Sequence, residues 1–481
     1  MDALQSKDRK FYIVLAITVI IMIGFGFLPP FGEVTPIGMR ILGIFIGCVF
    51  AWCFGEIIWS SILGLIMISI FNFGLFNENY ASAFGNATTS TMLCGMVFCF
   101  AVQSSGLLSE ISRWIIGLRI VQKTPWTLIV GFFVASYILG ILATNPVVAM
   151  VLLWPLYYDI ARKLEIAPFS NYTTIILCGI GICAAAGVVT VPYGAMSVLV
   201  QGVARSFDPS YNYDTMLWIG ANFLVNLIFI PLALFVLRFV IRPKFNFKMK
   251  QHETYKMNLT PEIKIVSIVF GILLVALIVP NMFPATSTVY QLFVTKIGPA
   301  GLLAAAAVVL AVIHVNGKPI LKIDEGIKNG VTWGVLIMIS CAITISNYLT
   351  VDGVGILPTI VNLIEPFVQG KSSLVIAIMF VVIGLIMTNF INDAVTATVL
   401  YPIAAALIQD SGNGLVLFTT LFAAVTIQGC FMPSGSAIGA MFHSNTEWLK
   451  SKDIFIWVTI LMAILCVCLV FVMWLGIMMG F

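Results

Sequence analysis

The chain has 481 residues, of which 60% are hydrophobic and 9% charged, with 24 Lys and Arg against 20 Asp and Glu. Soluble domains carry about 25% charged residues, so this composition, with a mean hydropathy of +1.08, excludes a soluble enzyme and predicts a polytopic membrane protein. The formal charge of +4 gives no reason to expect a nucleic-acid partner.

Nine apolar runs predict ordinary membrane-spanning helices, because a span needs about 20 apolar residues. The runs are 11–29, 36–53, 56–74, 88–107, 217–241, 263–281, 299–315, 330–349 and 453–479.

Segment 107–119 predicts an amphipathic helix in the cytoplasmic interface. Its apolar face is Leu107, Leu108, Ile111, Trp114, Ile115 and Leu118, and its polar face is Ser109, Glu110, Ser112, Arg113 and Arg119. Segment 354–366 occupies the matching place outside.

Two further apolar regions, 126–203 and 372–443, contain polar breaks at membrane depth. The first is interrupted at residues 144–146 and 191–194, and the second at 389–393 and 433–436. Freed backbone groups at such breaks are tolerated only where protein buries them or where they line a cavity. We therefore interpret each region as a re-entrant helical hairpin followed by a broken helix. The predicted fold is all-α, with eleven transmembrane helices plus two re-entrant hairpins.

The distribution of Lys and Arg predicts the orientation of the chain. With the N-terminus in the cytoplasm and the C-terminus outside, twenty of the 24 basic residues fall in cytoplasmic segments, and Arg40, Arg205, Lys296 and Lys371 fall outside. The bias would be lost if either hairpin crossed the membrane completely. The pattern indicates a multi-pass protein of the cell's inner membrane, surrounded by lipid, with the longest polar loop, 242–264, as a basic cytoplasmic linker.

The two halves of the chain repeat each other. Residues 145–156 align without gaps on residues 392–403, an offset of 247, and in both an Asn precedes an aromatic-Pro pair by the same distance. The predicted domains are N-terminal scaffold helices (1–87), repeat 1 (88–241), the linker (242–264) and repeat 2 (265–481). Because the two repeats have opposite topologies, they predict the inverted-repeat architecture of secondary transporters, with substrate and ion sites at the broken elements.

The breaks contain the candidate binding residues. Carbonyl and side-chain oxygens there suit a cation, and N–H groups at helix N-termini suit an anion. The predicted substrate-binding residues are Thr144, Asn145, Asn392, Asp393, Thr190, Ser197, Ser434 and Ser436, and the predicted Na⁺ ligands are Asn145, Asn392, Asp393, Gly187 and Gly435. Asp393 stands out because an ionisable group inside the membrane is costly and suggests function. The alternative is that Asn145 and Asp393 only cap the following helices.

No catalytic or metal-binding motif accompanies these breaks. The ten cysteines lie in apolar runs without metal-ligand spacing to a His, so we expect reduced, structural thiols. The sequence predicts no cofactor besides Na⁺ as a coupling ion, and the pattern does not favour a membrane enzyme.

Several stretches together resemble the divalent anion/sodium symporter family, the di- and tricarboxylate and sulfate carriers of the ion transporter superfamily. They are the run 105–108, the amphipathic segment, the hairpins ending in Trp154-Pro155 and Tyr401-Pro402, and the stretch 431–454. The resemblance covers residues 35–475. It implies a homodimer, an elevator-type movement of a transport domain against a scaffold, and a carboxylate between the hairpin tips with Na⁺ beside it. The family's tips usually read Ser-Asn-Thr, whereas here they read Thr-Asn-Pro and Asn-Asp-Ala.

The sequence thus predicts a Na⁺-coupled secondary transporter of small organic anions, either di- or other carboxylates. An antiporter or efflux carrier of the same superfamily, in which Asp393 exchanges H⁺ or Na⁺, is the first alternative. A channel is the second, although inverted hairpins favour alternating access.

Overall fold

The computed structural model describes most of the chain. The described residues are 2–207, 214–243, 245, 255, 257–284, 286–349, 351, 353–356, 358–359, 362–363, 366, 371–390, 393–408, 414–432 and 436–479. Three predicted site residues, Asn392, Ser434 and Gly435, lie outside this part, as do residues 357, 360–361 and 364–365 of the segment 354–366.

The first half of the described chain consists of helices joined by short connections. Its helices are Asp2–Gly24, Pro36–Phe54, Ile57–Ile70, Phe76–Gly85, Ala87–Ser104, Leu107–Ile116, Pro125–Ala143, Pro146–Lys163, Asn171–Val188, Ala195–Phe207 and Thr215–Phe235, the last continuing as a π-helix to Ile241. The helix Phe76–Gly85 is too short to span a bilayer and is not among the predicted elements.

The second half repeats this pattern with one small addition. Its longer helices are Pro261–Ile278, Gly298–Val312, Trp333–Leu349, Ser373–Phe390, Asp393–Ile408, Gly414–Thr426, Ala437–Ser444 and Ser451–Met478, and short helical turns cover Val279–Met282, Thr288–Ile297 and Ile323–Gly330. The addition is an antiparallel ladder of two-residue strands, His314–Val315 with Lys318–Pro319, which modifies the predicted all-α fold.

Eight helices in the described part of the chain are long and apolar enough to cross a membrane. A ninth candidate is a bent pair, Ile323–Gly330 and Trp333–Leu349, with an angle of 74° between its members. Segments that the sequence assigns to spans, hairpins or broken helices also contain shorter apolar helices of 10 to 17 residues: Phe11–Phe27, Ile57–Ile70, Leu374–Asn389, Asp393–Ile408 and Leu415–Thr426. Multiple apolar helices of this kind make a multi-pass membrane protein.

The described helices of the two irregular regions end and begin at or near the predicted breaks, except that one helix of the second region already ends at Thr426, before the predicted break at 433–436. We call Pro125–Ala143 with Pro146–Lys163 hairpin 1, and Ser373–Phe390 with Asp393–Ile408 hairpin 2. Asn171–Val188 with Ala195–Phe207 is broken helix 1, and Gly414–Thr426 with Ala437–Ser444 is broken helix 2. The two helices of each hairpin pack against each other, and each hairpin packs against the broken helix that follows it.

Close packing between hairpin 1 and broken helix 1 depends on small residues. A Cβ at Gly140 would overlap the carbonyl oxygen of Ala184, and a Cβ at Gly187 would overlap that of Tyr137. Ser136 adds a buried hydrogen bond to the carbonyl of Ile180. Small residues allow this approach in membranes, where packing replaces the hydrophobic effect as the force between helices. Hairpin 1 and broken helix 1 therefore form one tight unit.

The helix Leu107–Ile116 is amphipathic, but its buried face differs from the predicted one. Glu110 and Ser112, assigned to the polar face, are buried, whereas Trp114, assigned to the apolar face, is 42% exposed. The carboxylate of Glu110 accepts a hydrogen bond from the backbone N–H of Asn258 at 2.9 Å and lies 2.9 Å from the hydroxyl of Tyr255. The linker thus covers Glu110 and satisfies its charge, which a helical periodicity cannot reveal.

The two halves meet along buried helix contacts. The second part of broken helix 1, Ala195–Phe207, packs against the second helix of hairpin 2, Asp393–Ile408. The hydroxyl groups of Thr89 and Ser340, which belong to different halves, lie 3.1 Å apart in the core. This arrangement brings the breaks of both halves to one region of the molecule.

Candidate functional site

A cavity of about 250 Å³ lies where the breaks of the two halves converge, and we call it the central cavity. Its walls are the tip of hairpin 1, the break of broken helix 1, the start of hairpin 2's second helix and the break of broken helix 2, together with one face of Ala87–Ser104 and the segment around Val335. Thr144, Asn145, Asp393 and Ser436 all line it. Pro146 and Asp393, which are 247 positions apart, also meet at this cavity.

The tip of hairpin 1 is held in a defined shape by local bonds. Thr144 adopts a left-handed conformation with φ 49° and ends the first helix, and its hydroxyl lies 3.0 Å from the thiol of Cys99. Asn145 caps the second helix, its side-chain oxygen accepting the N–H of Val147 at 3.0 Å, and Pro146 occupies the first helical position, where its missing N–H costs nothing. The cap leaves the amide nitrogen of the cavity-lining Asn145 as a possible donor to a ligand.

The tip of hairpin 2 is fastened to broken helix 2. Thr388 Oγ1 lies 2.9 Å from a carboxylate oxygen of Asp393 and 2.6 Å from the carbonyl oxygen of Thr426. The side-chain oxygen of Asn389 accepts the N–H of Phe431 at 2.8 Å. Thr388 and Asn389 are almost completely buried. Thr388 positions Asp393, and sequence reasoning missed it because it looks like any Thr in an apolar helix.

Ser436 begins the second part of broken helix 2. Its hydroxyl donates to the carbonyl of Gly429 at 2.6 Å and accepts from the backbone N–H groups of Ile438 and Gly439 at 3.1 and 3.4 Å. The residue is therefore an N-cap that also lines the central cavity.

Three other predicted site residues are not among those that line the central cavity in the described chain. The hydroxyl of Thr190 is buried 3.0 Å from that of Tyr137, and the hydroxyl of Ser197 is buried without a hydrogen-bond partner among the described residues. Gly187 lies at the close contact between hairpin 1 and broken helix 1.

The electrostatic character of the central cavity comes from four helix N-termini. The helices that begin at Pro146, Ala195, Asp393 and Ala437 all contribute their first residues to its lining. Each helix N-terminus carries roughly half a positive charge, although Asn145 already accepts the N–H of Val147 and Ser436 those of Ile438 and Gly439. Among the described lining residues, Asp393 is the only Asp, Glu, Lys, Arg or His. The cavity therefore combines diffuse positive potential from the backbone with a single carboxylate.

A second cavity, of about 150 Å³, lies on the other side of Tyr193, which lines both. Its polar side chains include Gln201, Arg205 and Asn281. The hydroxyl of Tyr193 donates to the carbonyl oxygen of Leu277 at 3.0 Å, so this ring is tied to the helix Pro261–Ile278. Tyr193 therefore borders both cavities.

Comparison with known proteins gives a family and a fold. A family model described as citrate transporter matches residues 11–427. No curated protein sequence matches the chain significantly. The solved structure of the Alcanivorax borkumensis YdaH transporter, reported to have an unusual topology, is similar with a TM-score of 0.61 at 13% identity, covering 84% of this chain and 88% of that one. Neisseria gonorrhoeae MtrF, described as illuminating a class of antimetabolite efflux pumps, is similar with a TM-score of 0.58 at 14% identity, covering 95% and 96%.

Proposed function

The chain belongs to the citrate transporter family, within the ion transporter superfamily, and is a multi-pass membrane transporter; from this premise we propose that it is a secondary active transporter of a small organic anion, coupled to Na⁺. Within the superfamily we assign it to the divalent anion/sodium symporter branch. The substrate site is the central cavity.

The convergence of four helix N-termini on one cavity is the observation that carries this proposal. Unpaired N–H groups and the positive ends of helix dipoles bind anions without needing a cationic side chain. Discontinuous helices whose N-termini meet near the membrane centre are the usual way in which secondary transporters hold anionic substrates. Thr144, Asn145 and Ser436 add short polar side chains at the same place.

Asp393 supplies the reason for cation coupling. A carboxylate in the anion's own cavity opposes anion binding, and two like charges there are costly in a low-dielectric environment. A Na⁺ ion bound beside Asp393 removes this repulsion, so the two solutes bind best together. We propose Asp393, with the carboxamides of Asn145 and Asn392, as the Na⁺ ligands. The close packing around Gly187 argues against it as a ligand, and Gly435 remains a candidate on sequence grounds.

The proposed mechanism is an elevator-type movement. In this scheme the chain has eleven spans and two re-entrant hairpins, and hairpins and broken helices move as a unit relative to the remaining helices. The tight contact between hairpin 1 and broken helix 1 supports such a unit. We further propose a cytoplasmic N-terminus and a homodimer.

Reconstitution into liposomes tests the function. Uptake of labelled mono-, di- and tricarboxylates is measured with and without an inward Na⁺ gradient, with protein-free liposomes as the control for leakage. Accumulation above the outside concentration, driven by inward Na⁺, is the expected result. Accumulation that requires an outward Na⁺ or H⁺ gradient would identify the antiporter alternative. Equilibration without accumulation under any gradient would indicate a channel and overturn the proposal.

A further inference from the structure

We propose that the second cavity is an anion site separate from the central cavity. It takes a small carboxylate and, when occupied, stabilises the conformation described above. Binding there does not depend on what the central cavity transports, whereas its effect on transport rests on the proposed function, in which broken helix 1 moves against the remaining helices.

The two cavities follow each other along one face of the helix Ala87–Ser104. The second cavity is lined by Ala87, Thr88 and Thr91, and the central cavity by Met92, Gly95, Met96, Cys99 and Gln103. Their spacings of one, three and four residues put them on one side of the helix. At about 1.5 Å of rise per residue, this face extends about 24 Å. The second cavity therefore lies near the beginning of the helix, away from the hairpin 1 tip, which contacts Cys99.

Arg205 gives the second cavity its charge. Among the described residues that line this cavity, it is the only Asp, Glu, Lys, Arg or His. A guanidinium carries five N–H donors in a planar fork that matches a carboxylate, so Arg205 can hold a ligand and still keep a contact with the protein. The charge is the reverse of that in the central cavity, where Asp393 is the charged lining residue.

Two carboxamides add hydrogen-bond donors beside this charge. Gln201, which is 4% exposed, donates one N–H to the carbonyl of Pro192 at 2.8 Å, and Asn281 donates one to the carbonyl of Leu277 at 2.8 Å. A carboxamide has two N–H groups, so each residue has a second one for a ligand. A cavity of about 150 Å³ can hold a benzene-sized molecule, which makes a small carboxylate a suitable occupant.

The second cavity lies at the boundary of the proposed moving unit. Arg205 belongs to the second part of broken helix 1, whereas Asn281 follows the helix Pro261–Ile278, which lies outside that unit. The two sides touch closely, since a Cβ at Gly202 would be 2.7 Å from Oγ1 of Thr88. A carboxylate held by Arg205 and Asn281 together would join the two sides in this conformation. Because a ligand shifts an equilibrium toward the state that binds it better, occupancy should slow the movement.

Ligand-induced stabilisation of the purified protein tests the binding site, since a ligand that binds only the folded state raises the melting temperature. The probe is sodium acetate, which carries one carboxylate, compared with sodium chloride at equal ionic strength. Acetate should raise the melting temperature more than chloride does. Arg205→Gln should weaken acetate binding about tenfold, the factor expected for a lost hydrogen bond to a charged group. Asn281→Ala, on the other side of the cavity, should weaken it severalfold and provides an independent variant.

Two control variants locate the effect. Arg40→Gln removes an exposed arginine that is not among the described residues lining either cavity, and acetate binding should be unchanged. Asn145→Ala alters the central cavity and should also leave acetate binding unchanged. Stabilisation by acetate that is equal to that by chloride, or that both Arg205→Gln and Asn281→Ala retain in full, would overturn the site. Loss of the effect in Asn145→Ala alone would place acetate in the central cavity and would overturn it as well.

Transport measurements test the effect on movement. Sodium acetate is placed on both sides of the liposome membrane, so that it creates no gradient of its own, and uptake of the carboxylate identified as substrate is followed. The maximal rate should fall, and excess substrate should not restore it, whereas Arg205→Gln should escape this inhibition. Inhibition that excess substrate relieves would mean competition in the central cavity and would contradict the effect on movement. If no carboxylate is transported, the proposed function fails, and the melting temperatures still decide whether the second cavity binds acetate.

Discussion

Replacing Asp393 by Asn is the most direct perturbation of coupling. The substitution keeps the shape of the side chain and an oxygen that can accept from Thr388, which lies 2.9 Å away. A hydrogen bond to a charged acceptor is worth about 1.5–3 kcal/mol and a neutral one about 0.5–1.5 kcal/mol. The variant loses this difference and gains by not burying a charge, so we expect its stability to change by no more than about 1 kcal/mol.

The effect on transport is expected to be much larger. A tenfold Na⁺ gradient stores about 1.4 kcal/mol for each coupled ion, enough for tenfold accumulation of substrate. Asp393→Asn removes the charge that makes the anion and Na⁺ bind together. The substrate concentration inside the liposomes should therefore rise only to that outside, although the substrate still binds. The assay is uptake into proteoliposomes of the best-transported carboxylate, with and without the gradient.

A matched control separates coupling from a general loss of charge. Asp159→Asn changes an exposed carboxylate whose nearest ion pair, with Arg162, is 4.0 Å long; it should accumulate substrate as the wild type does. If Asp393→Asn concentrates substrate against its gradient with unchanged Na⁺ dependence, Asp393 is only a helix-terminal residue. The coupling site would then have to be sought in the breaks of the two broken helices.

Three further substitutions test the tip, the packing and the linker. Asn145→Ala should abolish uptake while costing about 1 kcal/mol as a lost helix cap; wild-type uptake would reduce the residue to a cap. Gly140→Ala should destabilise the protein by about 1–3 kcal/mol through overpacking against the facing helix, measured as a lower melting temperature, whereas Gly220→Ala, with open space at its Cβ, should not. Tyr255→Phe removes the hydroxyl beside Glu110 and should lower the melting temperature by about 1–3 °C; an unchanged value would mean that the contact contributes nothing to stability.

The breaks were the most predictable part of the fold because their causes are local. Asn is a favoured N-cap and Pro a favoured first helical residue, as Asn145 and Pro146 are in hairpin 1, although Pro155, Pro231 and Pro402 lie inside helices. Shifting Ala143, the last residue of hairpin 1's first helix, by the repeat offset of 247 gives Phe390, which ends the matching helix of hairpin 2, and Pro146 shifts onto Asp393, which begins the next helix. The short segments that escaped prediction include the helix Phe76–Gly85, the helical stretches Thr288–Ile297 and Ile323–Gly330, and the two-residue strands.

The direction of individual side chains was less predictable because it depends on distant partners. Glu110 belongs to a polar pattern in the sequence, yet it is buried because Tyr255, 145 residues later, covers it. Ser197 lies just after the break in broken helix 1. The sequence does not determine which face of the helix after the break turns toward the cavity, so it could not predict whether Ser197 lines it. Met92 and Met96 line the central cavity. The sequence does not reveal this, because residues that line a cavity and residues that pack in the core have the same helical spacing.

The tips of hairpins 1 and 2 correspond in position but differ in chemistry, and this difference bears on coupling. Asn145 and Asn392 correspond, but the next position is Pro146 in one hairpin and Asp393 in the other. Pro at the first helical position contributes neither an N–H nor a charge, so the hairpin 1 tip presents a neutral amide and a helix dipole. Hairpin 2 presents the cavity's carboxylate, fixed by Thr388 to broken helix 2. An anion alone is attracted by the first tip and repelled by the second, and a cation beside Asp393 reverses the second effect without altering the first. We therefore expect the cation dependence of transport to lie in hairpin 2 and its contacts, although both hairpins have the same architecture.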